Sequence, residues 1–433
     1  MNQFEPAPGA VRPEPTRPSA RTRREEHTFR GNLASTRHGW LRLTPAYSVR
    51  LVQGLLDSGS AQPPFLDPFC GTGTTLLSCT EHGFDCDTTD INPFLIWLAR
   101  SKVAAYSVRA RTEARAGLVR LCRAARRTRP RQAWTPPIHR IERWWSPGSL
   151  GALSRAFAEL SALRESNSRA AIALLHVAFC RVLIQCSRAD FGHQSMSFAP
   201  GTGSNNDCDD ATAAELADRA EEVAQLLTAA LDGVLLTTER PLPATSRRVV
   251  LADARRLQQK LPAAHYGSVI TSPPYANRMS YIRELRPYMY WLGYLTDRTR
   301  AGVLDWSAIG GTWGSATSNL SSWVPEADIP ELGADTEARL EAIAARSTVL
   351  SSYVRKYCHD MFHHFASLAH VLRPGGSAHF VVGNSKFYDV VVPVEQVLAR
   401  QLEQAGFHAV EVTTLRKRSS KKELFEYVIS ARR

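Results

Sequence analysis

The chain has 433 residues, 44% of them hydrophobic, and a formal net charge of +12. That length supports one large core with insertions, or two domains, and the arginine excess suits a polyanionic partner, although net charge constrains association and not fold. Eight scattered cysteines form no CxxC pair and no Cys/His set at zinc spacing, so neither a disulfide framework nor a metal is expected; no apolar run reaches the ~18 residues of a membrane span and no leader peptide is visible, so the chain is expected in the cytoplasm.

Residues 1–30 are rich in Pro, Arg and Glu and read as a disordered basic arm. From Arg37 to Leu56 the pattern turns helical, with Pro45 near the first turn. The run Pro64-Phe65-Leu66-Asp67-Pro68-Phe69-Cys70-Gly71-Thr72-Gly73-Thr74-Thr75 then reads as strand, glycine turn and helix start. Gly71 and Gly73 let the backbone approach a ligand closely, and Thr74 or Thr75 can cap the helix that follows. Cys70 reads as a small loop residue, because no base stands ready to activate a thiolate. A second strand ends in Asp90, about twenty residues past the glycines, the spacing at which a carboxylate meets a ribose diol in a nucleoside-binding βαβ unit. The third glycine of the dinucleotide fingerprint is missing, which argues against a nicotinamide cofactor. A helix over 93–105 follows, opened by Pro93.

Residues 107–245 read as a helical insertion, a lid or recognition element. Its first part, 107–131, carries many arginines, and Trp134, Trp144 and Trp145 come next. Cations beside aromatics suit nucleic-acid contact; a solvated helix face followed by core tryptophans fits the same pattern. Helices are expected over 149–164, 168–187 and 211–232, with a loop at 188–198 and a polar linker at 201–210.

The sheet resumes at Arg247–Leu251 and leads to Asp253. Another short buried strand, Tyr266 to Ile270, runs into Thr271-Ser272-Pro273-Pro274-Tyr275. Two consecutive prolines stiffen that loop, so it can hold a hydroxyl, a carbonyl and a ring in fixed positions; alone, the same residues also suit a turn or a polyproline ligand. Arg278 and Arg283 follow, then a helix with Tyr288, Tyr290 and Trp291. The stretch 299–334 reads as a long lid-like loop, 336–372 as helix, and Arg373-Pro374-Gly375-Gly376 as a turn into a strand through Val382. The alternating runs 408–415 and 424–430 read as an antiparallel hairpin. Its tip carries Arg416, Lys417, Arg418, Lys421 and Lys422, which suit either a phosphate grip or a protected sheet edge.

In order, Asp67-Pro68-Phe69-Cys70-Gly71-Thr72-Gly73-Thr74, Asp90-Ile91-Asn92-Pro93 and Thr271-Ser272-Pro273-Pro274-Tyr275 resemble the motifs of the amino-methyltransferases that modify exocyclic amines of DNA bases with S-adenosylmethionine. The serine form of the last motif is more typical of the cytosine-N4 type; adenine-N6 methylation of DNA and guanine-N2 methylation of RNA stay open. The resemblance covers roughly 36–106 and 246–430, and the insertion departs from it. It implies a Rossmann-like α/β class I methyltransferase fold in two parts, 31–106 and 246–433, with the first and fourth strands side by side. S-adenosyl-L-methionine would be the cofactor, held by Asp67, Phe69, Gly71, Gly73, Thr74, Asp90, Ile91 and Asp253. Within that set the resemblance gives Asp67 the methionine ammonium, Asp90 the ribose and Asp253 the adenine amine; Thr44 and Tyr47 stand beside the methionine end. Ser272, Pro273, Pro274 and Tyr275 would be catalytic. DNA is the expected partner, contacted by Arg278, Arg283 and the hairpin cations; a companion restriction or defence protein stays open.

Overall fold

The computed structural model describes residues 36–41, 43, 47–127, 134–190, 197–198, 212–277, 279–312, 315–326, 332–418 and 423–433, with backbone alone at 315 and 316. The arm at 1–30, Thr44, Arg278, Lys421, Lys422 and the linker at 201–210 lie outside these residues.

One seven-stranded sheet organises the α/β fold. Its strands are β1 (Phe65–Asp67), β2 (Cys86–Asp90), β3 (Val249–Leu251), β4 (Tyr266–Thr271), β5 (Leu372–Gly383), β6 (His408–Lys417) and β7 (Phe425–Arg432). The order is β6-β7-β5-β4-β1-β2-β3. β1 to β5 pair in parallel, whereas β7 runs antiparallel to both β5 and β6. β1 lies beside β4, with Phe65 opposite Ser268 and Leu66 opposite Val269. The chain travels outward from β1 through β2 to β3, then returns to β4 on the other side. The switch point therefore falls between β1 and β4, where an open parallel sheet leaves a crevice at the carboxyl ends of its strands. Every residue of β4 is buried, as a central parallel strand covered on both faces requires.

Helices α1 (Val49–Asp57), α2 (Thr74–Glu81) and α3 (Pro93–Val103) surround the first strands. Asn92 caps α3 by accepting from the Phe94 N–H, with Pro93 in the first turn. Thr74 and Thr75 do not cap α2. Gly73 holds that position in a left-handed conformation (φ 75°), and the two hydroxyls turn to neighbours instead.

The described part of the insertion is built chiefly on α4 (Val108–Ala125), α5 (Pro147–Leu163), α6 (Arg169–Gln185) and α7 (Ala213–Leu236). Ser107, Ser146, Ser168 and Thr212 each cap one of them through the backbone N–H three residues on. These helices form one apolar cluster with α3 and with α8 (Tyr281–Trp291), the helix that follows the diproline loop. Trp134, Trp145, Phe157 and Phe179 all pack against Trp291. The insertion is thus anchored to the sheet-bearing part through a shared aromatic core.

The 299–334 stretch is not simply a loop. It contains α9 (Arg298–Ser307), capped by Asp297, and α10 (Ser315–Leu320). The expected helix 336–372 divides into α11 (Ala334–Ala344) and α12 (Thr348–Val371), with Ser347 capping the second. Within the expected loop at 188–198, Ala189–Asp190 pairs with Ser197–Phe198. Arg373 to Gly376 lie inside β5 as an irregularity of register, because Gly375 and Gly376 bond the backbone of Arg433. The hairpin appears as expected, and α13 (Val394–Gln404) packs behind it. Among the described residues no helix is long and apolar enough to cross a membrane.

Candidate active site

The carboxyl ends of β1, β2 and β4 bring the glycine loop, Asp90 and the diproline loop to one edge. Gly71 (φ 50°) and Gly73 (φ 75°) both take left-handed backbone, the region a Cβ disfavours. Their loop is fixed from two sides. Asp90 Oδ2 accepts from the Gly71 N–H at 2.9 Å, and its Oδ1 accepts from the Asn92 N–H at 2.8 Å. From below, the buried Lys102 ammonium donates to Thr72 O at 2.8 Å and to His38 O at 3.1 Å. Burial lowers the Lys102 pKa to about 8 and raises that of Asp90 to about 6. Cys70 is buried and its thiol is pushed well up by burial, which leaves it inert.

Asp67 joins this loop to the other. Its Oδ1 accepts from the Phe69 N–H at 3.1 Å and from the Thr271 hydroxyl at 2.6 Å. Its Oδ2 is buried and meets no hydrogen-bond partner among the described residues. The Thr75 hydroxyl beside the carboxyl donates to Ile270 O at 3.0 Å, and Tyr47 OH bonds that same hydroxyl. Burial drives the Asp67 pKa up to about 7. A buried carboxylate oxygen with no partner is costly, so this one is suited to a ligand cation.

In the diproline loop the Ser272 hydroxyl donates to Val381 O at 3.0 Å. Its proton is thereby committed, so its oxygen can act only as an acceptor, with the Tyr275 hydroxyl already beside it. The Pro274 carbonyl accepts from Tyr357 OH, on α12, at 2.9 Å. Tyr275 is held at three points. Its N–H meets Tyr281 OH at 3.4 Å, its hydroxyl donates to Glu426 Oε1 at 3.2 Å, and the Arg418 guanidinium covers its ring at 5.3 Å. Burial and the nearby Glu426 carboxylate keep its phenol protonated far above neutral pH. Gly383 makes this arrangement possible: a Cβ there would stand 3.0 Å from the Tyr275 ring and 2.8 Å from the Arg418 guanidinium.

Other expected residues are engaged elsewhere. Asp253 follows β3, near the same edge, but its carboxylate is chelated by Arg255, with the shortest contact at 2.7 Å. Burial opposes its ionisation, yet the Arg255 bonds prevail and hold its pKa down. Phe69 meets His364 edge-on at 4.7 Å. Thr74 bonds Thr72, and Ile91 sits beside Asp90 at the end of β2. The three described hairpin cations, Arg416, Lys417 and Arg418, do not form one outward cluster. Arg418 donates to Asn384 O and to Phe425 O, and Arg416 pairs with Glu426 Oε2 at 2.6 Å. Lys417 is exposed, with its ammonium 5.8 Å from the Phe425 ring. Arg283 is exposed on the first turn of α8. Trp144 and Trp145 are core residues, and two α4 arginines and the Arg126 that ends the helix pair with carboxylates: Arg109 with Glu113, Arg120 with Glu159 and Arg126 with Glu221.

Sequence reasoning missed Lys102, Thr271 as the bridge to Asp67, Tyr357 and Glu426. Lys102 had a weak signal: a second cation, two residues after Arg100, at the end of the mostly apolar helix Phe94 to Val103. Glu426 had a weaker one, a carboxylate inside a strand of apolar alternation. No protein-family model matches the chain, and no curated protein or solved structure does either.

Proposed function

We propose that the protein transfers a methyl group from S-adenosylmethionine to the exocyclic N4 amine of cytosine in DNA, on a Rossmann-like methyltransferase sheet. The observation that carries this reading is the Thr271–Asp67 bond at 2.6 Å, which ties the two motif loops together at the switch point between β1 and β4.

The residues present fit the cofactor. The unpartnered Asp67 Oδ2 offers an acceptor for an ammonium, and the half-buried Asp90 keeps lone pairs for a diol beyond its two backbone bonds. Gly71 and Gly73 keep side chains out of the turn between them. Asp253 could serve an adenine amine only through lone pairs left over from Arg255. When bound, S-adenosylmethionine supplies an electrophilic methyl group.

A cytosine amine is a poor nucleophile because its lone pair is delocalised into the ring. The Ser272 oxygen and the Pro273 carbonyl accept hydrogen bonds from that amine and favour a pyramidal nitrogen. The stiff diproline backbone keeps both acceptors in place, so attack needs no covalent enzyme–base intermediate. The amine is occupied in the base pair, so the base must leave the duplex. The Tyr275 ring, on the face turned from Arg418, provides the stacking surface, worth roughly 1–3 kcal/mol.

Nucleoside mass spectrometry of DNA and RNA from cells with and without the protein tests this directly. N4-methylcytosine in DNA, lost with Ser272→Ala, is the expected result. N6-methyladenine in DNA or N2-methylguanine in RNA would overturn the base assignment, and no modified base together with no cofactor binding would overturn the class.

A further inference from the structure

On α12, away from both motif loops, His359 and His363 stand four residues apart and share one face. Glu326, six residues beyond the end of α10, comes to the same place. The donor atoms of these three residues all lie within 4.8 Å of one another. His363 Nε2 is 3.4 Å from Glu326 Oε2, close to the ~3.3 Å that two ligands about 2.0–2.1 Å from a tetrahedral ion keep between them. The two imidazole rings are 4.7 Å apart.

His359 supplies the second observation. Its side chain is buried, with 7% exposure, and neither ring nitrogen has a hydrogen-bond partner among the described residues. Trp323 packs edge-on against it at 5.5 Å and helps shield it from water. Glu326 and His363 are exposed and half-exposed, which leaves the outer side open for an ion to enter and keep a water.

We propose that Glu326, His359 and His363 bind one divalent first-row transition ion. Two imidazoles, one carboxylate and one water suit Zn²⁺, the probe to use. Such an ion fastens the segment after α10 to α12. The same helix carries Tyr357, bonded to Pro274 O, and Asp360, bonded to Arg255. The metal thereby braces the helix that backs the diproline loop. This inference does not depend on the reaction proposed above.

The full chain, stripped with a chelator, is titrated with Zn²⁺ by calorimetry and with Co²⁺ by visible absorption. The wild type should take up one Zn²⁺ at this site and show the absorption of four-coordinate Co²⁺. His363→Ala and Glu326→Gln, at the surface and compatible with folding, should each bind at least ~10-fold more weakly. Hydrogen exchange at 321–326 should slow with Zn²⁺ in the wild type only. A wild type that takes up no ion, or variants that keep its affinity and cobalt spectrum, would overturn the site.

Discussion

Replacing Asp67 with Asn separates a ligand-binding carboxylate from a structural one. The amide oxygen can still accept from Phe69 N–H and from the Thr271 hydroxyl, so the bridge between the loops survives. What disappears is the charge at the buried, unpartnered Oδ2. With the folded pKa raised from 3.8 to about 7, the unfolded chain releases its proton before the folded one does. Between those values the folded state binds more protons, so stability falls as pH rises through the window and levels off above it. The shift corresponds to roughly 4 kcal/mol as an upper bound. A ligand ammonium at Oδ2 favours the ionised form, and a charge-assisted bond there contributes about 1.5–3 kcal/mol, roughly 10- to 150-fold in Kd. Calorimetry with S-adenosylmethionine from pH 6 to 7.5 stays below the titration of an α-amino group, near 8. Wild-type affinity should rise across that range, with Asp90 adding a step near its own value of about 6. Asp67→Asn should bind ~10- to 150-fold more weakly at pH 7.5, yet lose less stability to urea than the wild type between pH 5 and 8. Equal cofactor affinity for the two proteins at pH 7.5 would refute the reasoning.

Tyr275→Ala should cut turnover by about 5- to 150-fold, the range set by base stacking, and leave the cofactor Kd within about twofold; equal losses in both would count against a substrate-side ring. Asp90→Ala should weaken cofactor binding first, because it frees the Gly71 N–H as well as the diol partner, and calorimetry showing unchanged affinity would remove it from the site. Gly73→Ala should destabilise the fold by about 1 kcal/mol in urea melts, from the left-handed backbone alone, since the new Cβ would make ordinary contact with Ala99 at 3.5 Å; an unchanged midpoint would contradict that conformation.

The parts of this molecule legible in its sequence are those set by short-range chemistry. Gly71 and Gly73 mark a turn whatever surrounds them, the 266–270 run reads as a buried strand, and two prolines stiffen the next loop. The seven-stranded sheet and its terminal hairpin follow the same periodicities. The illegible parts depend on distant partners. The 299–334 stretch reads as loop because Gly, Ser and Trp mask the helical period, although Asp297 was a usable cap signal for α9. His359 and His363 carry no cysteine signature, and only the fold brings Glu326 to them.

The hairpin cations make the same point with a functional consequence. Five cations near a turn suit a phosphate grip and a protected sheet edge equally, because a charge count carries no information about register. Register places Glu426 opposite Gly383, beside the end of the diproline loop, and there it takes both Arg416 and the Tyr275 hydroxyl. Arg418 turns inward onto Asn384 O and the Tyr275 ring. These two arginines therefore position the ring instead of meeting phosphate. Under the proposed function, the described cations left to face DNA are exposed side chains such as Arg115, Arg123, Arg283 and Lys417. On this reasoning, losing Arg418 disturbs turnover more than DNA affinity, whereas losing exposed cations weakens DNA binding and flattens its salt dependence.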